Sequence, residues 1–186
     1  MKIGDIKDSL EPLLNDAFEA EEYLSKNNSS QFARRIYIRS VFSYLEGSIW
    51  VFKQVCFKAK PSDNSRRKMS ISEYAILNEE SYELKGNGDI TVTTKNFNLL
   101  DNIKFTFKML NKLFGGELEI GTGTESWTKL IEAKNVRNRI THPKRIEDLT
   151  IEDSEIETCQ EVCSWFNILS HETFKLLLES GEKAKK

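Results

Sequence analysis

The sequence predicts an all-α protein, an antiparallel helical bundle interrupted by an irregular insertion. Three observations carry this reading. Apolar residues recur at steps of three and four over long stretches near both ends of the chain. Only 3 prolines and 9 glycines punctuate 186 residues, too few for a loop-rich chain. The middle, about 61–124, loses the helical period and gathers turn residues. At 39% apolar and 30% charged, with 11 Phe, 5 Tyr and 3 Trp, the composition is that of a folded chain. The length suits a single domain over 1–186 that buries its own core.

The first helix is expected over 5–26, where Ile6, Leu10, Leu13, Leu14, Phe18 and Leu24 share a face among charged neighbours. The run Asn27, Asn28, Ser29, Ser30 breaks it and offers a serine cap to the next. Residues 31–59 form the strongest helix. Ile38, Phe42, Leu45, Ile49, Phe52 and Cys56 make one stripe, and Tyr37, Val41, Tyr44, Ser48, Val51 and Val55 run beside it. So wide an apolar face makes this helix central. The segment 61–65 ends it. Ser70 and Glu73 read as a capping box for a short helix through about Ser81. Lys85 to Asp89 then turns into a strand at 90–94, the makings of a small β-hairpin. A helix at about 98–114 stops at Gly115 and Gly116, and another runs from about Glu125 to Thr141. Pro143 disfavours α conformation at His142 and closes it. The last helix spans about 151–179, with a fraying tail after it.

The formal charge is only −2, which excludes a blanket electrostatic coat for nucleic acid. The charge is nevertheless zoned. Residues 1–26 carry three basic and seven acidic side chains, and 31–68 carry nine basic and two acidic. Residues 129–145 carry six basic and one acidic, and 147–161 carry seven acidic and no basic side chain. If the second and fifth helices pack together, the two basic zones meet as a local basic cleft.

Three cysteines, Cys56, Cys159 and Cys163, give neither a disulfide framework nor a CxxC pair. Cys159 and Cys163 fall on an apolar stripe, so packing is the expected role and no metal site is read there. No stretch has the length of a signal-peptide core or a membrane helix. A cytoplasmic protein without membrane contact and without a cofactor is expected.

The segment 134–145 stands out. It holds His142, one of two histidines, together with Lys134, Arg137, Asn138, Arg139, Lys144 and Arg145. Asn138 and His142 are four apart and share a helix face. Arg137 lies five residues before His142, about 140° around a helix, within reach of a long side chain. An arginine holds phosphate through two hydrogen bonds, and a histidine titrates near neutrality and shuttles protons. An asparagine orients either. These are parts for metal-free RNA cleavage by the ribose 2′-OH, with the other cations holding the flanking strand. The plainer alternative is a solvated basic helix end in which His142 is an ordinary cap.

The run RNRITH at 137–142, at the end of a helix and before a long last helix, resembles the HEPN superfamily. That family's signature is an arginine, four to six residues, then a histidine, often with a polar residue straight after the arginine. Here Arg137, four residues and His142 fit, with Asn138 in the polar place. The helix 34–59 is similar to a core helix of that fold, in which an acidic residue often faces the motif. Glu46, the sole acid in that helix, takes the place. The resemblance covers about 1–60 and 125–180. It implies a metal-independent endoribonuclease of a toxin–antitoxin or phage-defence setting, a homodimer whose two motifs share one cleft, and an antitoxin or other regulatory partner. It also implies catalytic roles for Arg137 and His142, supported by Asn138 and Glu46. The RNA contacts would be Lys134, Arg139, Lys144, Arg145 and Arg39. Other members are non-catalytic modules that bind a partner protein or a nucleotide, which is the alternative here. One subgroup carries a modified tyrosine two residues after the histidine; Lys144 stands there in this chain. A DNA-binding regulator ranks last, because no helix-turn-helix with a basic second helix is evident.

Overall fold

The computed structural model describes residues 3–59 and 68–183. It is an all-α bundle with one small hairpin, as the periodicity predicts. Among the described residues six helices follow in the order α1 (Ile3–Lys26), α2 (Gln31–Lys58), α3 (Ile71–Leu77), α4 (Leu99–Phe114), α5 (Glu125–Thr141) and α6 (Asp153–Lys183). Strands β1 (Glu80–Leu84) and β2 (Ile90–Thr94) lie between α3 and α4. A short 3-10 turn, Ile146–Leu149, joins α5 to α6. The stop read at 61–65 lies outside the described residues.

Helix α2 is the axis of the fold and touches every other helix. Ser30 starts it by accepting a hydrogen bond from the Ala33 N–H at 3.3 Å. Tyr37, Ile38, Val41, Phe42, Leu45, Ile49, Phe52 and Cys56 are buried, so both of its apolar stripes are used. Aromatic edges lock the neighbours in place. Phe52 meets Phe107 of α4 at 6.2 Å and Phe174 of α6 at 6.1 Å, and Tyr44 meets Phe166 of α6 at 5.5 Å.

The insertion departs from its expected pattern at one place. The capping box at Ser70 and Glu73 forms, but α3 ends at Leu77 and not near Ser81. Glu79 takes a positive φ of 55°, which no helix tolerates, and 80–84 are claimed by pairing with 90–94. The hairpin is antiparallel, with Tyr82 opposite Val92 and Leu84 opposite Ile90. Gly88, at φ 88°, supplies the left-handed turn residue. Helix α4 is capped by Asn98, whose side chain accepts from the Leu100 N–H at 2.9 Å, and it stops at the left-handed Gly115. Helix α6 continues to Lys183, four residues past the expected end.

The stretch between α5 and α6 is fastened to the start of α2. Gln31 grips Ile151 both ways: its amide donates to the carbonyl at 3.0 Å and its oxygen accepts the N–H at 2.8 Å. Arg34 donates to the same carbonyl at 2.8 Å and pairs with Asp153. Arg35 donates to the Leu149 carbonyl at 3.0 Å. The segment after the motif is thereby held by polar groups of the central helix.

All three cysteines are free and buried. Burial pushes the Cys163 thiol up to about 11 and the Cys56 thiol up to about 12, and raises Cys159 in the same direction. An unfolded thiol ionises near 8.5. The cysteines therefore contribute stability that is complete below that pH and declines as pH rises toward the folded values. We expect the urea midpoint to fall between pH 8 and pH 10.5. Iodoacetamide should label the native thiols slowly at pH 8 and label all three at once in denaturant.

Candidate functional site

Helix α5 presents its motif against α2. Trp127, Leu130, Ala133, Val136 and Ile140 are buried and fix its rotation. Residues 134, 137 and 138 are left on its open side. Its last turn is satisfied by its own residues and by α2. Thr141 donates its hydroxyl to the Arg137 carbonyl at 2.7 Å, Arg39 of α2 donates to the Ile140 carbonyl at 3.1 Å, and the His142 N–H donates to the Asn138 carbonyl at 3.0 Å.

Arg137 and Glu46 form an ion pair across the α2–α5 seam. The guanidinium also lies 5.6 Å from the centre of the Phe42 ring and donates to the Asn138 side-chain oxygen at 3.0 Å. Its side chain is only 26% exposed. Burial pulls it below the ordinary arginine value, yet an arginine remains charged at any physiological pH. The Glu46 carboxylate balances that charge. The structure thus brings Arg137, Asn138 and Glu46 together.

These three residues line a cleft of about 590 Å³. Glu46, Ile49 and Trp50 of α2 form one wall, and Lys134, Arg137 and Asn138 of α5 form another. The third comes from the insertion: Glu79, Asn96, Phe97, Asn98, Leu99 and Asn102. None of these insertion residues figures among the sequence-predicted site residues. A loop far along the chain can be placed there only by tertiary packing. The cleft is also not the basic groove that the charge zones suggest. Its lining sets two cations, Lys134 and Arg137, beside two carboxylates, Glu46 and Glu79.

The insertion is held in place by a buried cation. Lys53 of α2 is fully buried and its Nζ donates to Glu79 at 2.8 Å and to the Asn102 side chain at 3.0 Å. It also sits 5.3 Å from the centre of the Phe97 ring. The positive φ of Glu79 is over-determined by this contact.

The other expected residues are placed differently. His142 is exposed at the helix end and does not line the cleft. Lys144 and Arg145 are exposed beyond it, and their backbone N–H groups donate to Asp148 at 2.8 and 3.0 Å. Arg139 points elsewhere and donates to the Thr150 carbonyl at 2.8 Å and to Glu155 at 2.9 Å. Arg39 is occupied by the α5 terminus. Among the described residues, no group of three or more His, Cys, Asp or Glu is placed to hold a metal ion.

The two ion pairs at the cleft differ in burial, which gives a test. Lys53→Ala strands Glu79 and Asn102 and should cost about 3 kcal/mol in urea unfolding. Glu46→Ala removes one partner of a partly exposed pair and should cost about 1 kcal/mol or less. Equal losses would mean that the insertion is not held by Lys53.

Comparison with known protein families, with curated proteins and with solved structures finds no match to this chain.

Proposed function

We propose that the protein is a metal-independent endoribonuclease of the HEPN type, acting as a homodimer in a toxin or phage-defence setting. The observation that carries this reading is the Glu46–Arg137–Asn138 constellation at the wall of an open cleft. A carboxylate fixes the guanidinium, an amide is fixed beside it, and a histidine lies one turn further along the same element. In the reaction, the ribose 2′-OH loses its proton to a base while its oxygen bonds to the adjacent phosphorus. The 5′-oxygen of the next nucleotide leaves and takes up a proton. The products are a 2′,3′-cyclic phosphate and a 5′-hydroxyl. His142 is assigned the proton transfers, and Arg137 the charge that builds on the phosphoryl oxygens. Asn138 orients the phosphate, and Glu46 positions Arg137. Lys134, Lys144 and Arg145 are the cations left to hold flanking phosphates. In this reading a second copy supplies the partner motif, and an antitoxin or other regulatory protein would act by blocking that pairing.

A second reading is a non-catalytic helical module that binds a partner protein or a nucleotide. A different observation favours it: Arg137 lines the cleft with residues of the chain's own insertion, while His142 is exposed outside it.

Purified protein in excess chelator should cut single-stranded RNA and leave 2′,3′-cyclic phosphate ends. His142→Ala and Arg137→Ala should each lower the rate by about a hundredfold or more, with the fold intact by circular dichroism. Wild type and His142→Ala cutting equally, or neither cutting any RNA, would leave the binding module as the surviving reading.

A further inference from the structure

We infer that the cleft is the subsite for one unpaired nucleotide of a single-stranded RNA, and that the insertion between α2 and α5 supplies the wall that reads its base. The polymer rests on the ribonuclease reading above; the subsite rests on the lining of the cleft.

The first observation is chemical. Three asparagines around the cleft have their side-chain oxygens already engaged. Asn98 accepts from the Leu100 N–H, Asn102 from Lys53 and Asn138 from Arg137. Each of those donors has no acceptor capacity, so the amide orientation is forced. What each asparagine retains for a ligand is its NH2 group. The cleft therefore offers amide donors from the insertion and from α5, with Lys134 and Arg137 on the α5 wall beside Asn138. Glu46 and Glu79 each commit one oxygen to a cation and keep the other as an acceptor. A ligand that fits is rich in acceptors, has a few donors and carries negative charge. A nucleobase with its phosphate has that make-up.

The second observation is shape. The cleft, at about 590 Å³, falls within the roughly 300–1,000 Å³ span of small-molecule sites. Trp50, 42% exposed, forms part of the α2 wall and Phe97 part of the insertion wall. An exposed indole beside amide donors suits a base that stacks while its edge is hydrogen-bonded. A base within a duplex has its edge paired and cannot enter. The third observation is the anchoring. The base-reading wall is tied to α2 through fully buried Lys53, so it stands at a fixed distance from Arg137.

The test uses the full chain and a fluorescein-labelled, 2′-O-methylated RNA decamer, which the proposed reaction cannot cut. Binding is read by anisotropy and by the part of the tryptophan quenching that is lost in Trp50→Leu. We expect the single strand to bind at least tenfold more tightly than the same strand in a duplex. Trp50→Leu should weaken binding about tenfold, the loss of one stacked base. Asn96→Asp adds a negative charge at an exposed position of the wall, should weaken binding severalfold, and decides the matter should Trp50→Leu not fold. Duplex binding as tight as single-strand binding, or wild-type affinity in both variants, would overturn the subsite. So would a free mononucleotide that binds as tightly as the strand. If the decamer binds as expected but no RNA is ever cut, the ribonuclease reading fails and the subsite stands. If RNA is cut while both variants bind and cut as wild type does, the subsite fails alone.

Discussion

Helix α2 has more apolar surface than any one neighbour covers, and the rest of the chain is arranged around the need to bury it. Two adjacent stripes along 28 residues demand partners on several sides, and α1, α4, α5 and α6 meet that demand with their own apolar faces. A helix enclosed in this way has few places to carry charge. Lys53 and Glu46 are the two charged groups of its middle, and each is matched by a partner of opposite sign. The cleft lies between those two pairings, where the insertion and α5 meet the central helix at neighbouring points.

This arrangement explains why an open cleft is built on polar side chains without losing its shape. Arg137 is gripped by a carboxylate, an aromatic face and an amide oxygen. Glu79 is gripped by a lysine that has no water to exchange with. Groups held from several sides change little when a ligand arrives, and such preorganisation is what makes hydrogen-bonding groups effective in recognition and in catalysis.

The helices, their caps and some of their ends are legible in the sequence because they are local. The three–four spacing of Ile38 to Cys56, the serine before α2, the capping box at Ser70 and the glycine after α4 each act within a few residues. The partnership of Glu46 with Arg137 follows only from the family resemblance, because one acid in a basic helix is served equally well by an arginine of its own helix. The remainder depends on distance along the chain. Lys53 sits within a helix whose spacing says nothing of Glu79 or Asn102. Arg39 is read as an RNA contact through the resemblance, but Arg34, Arg35 and Arg39 donate to the backbone carbonyls of Ile151, Leu149 and Ile140. A carbonyl is the same at every residue, so its choice of donor leaves no trace in sequence. The same holds for the wall at 96–102, whose asparagines look like ordinary loop residues until α4 carries them to α5.

The two-way grip of Gln31 on Ile151 joins residues 120 positions apart. Closing so long a segment sacrifices chain entropy before any contact repays it. The hairpins α1–α2 and α5–α6 involve only near neighbours and are quick to form by comparison. The segment that carries His142 is therefore tied to the other end of the chain, and its setting depends on a contact that no local element supplies. A chain cut between the two ends would keep its local helices and lose the frame that holds the motif.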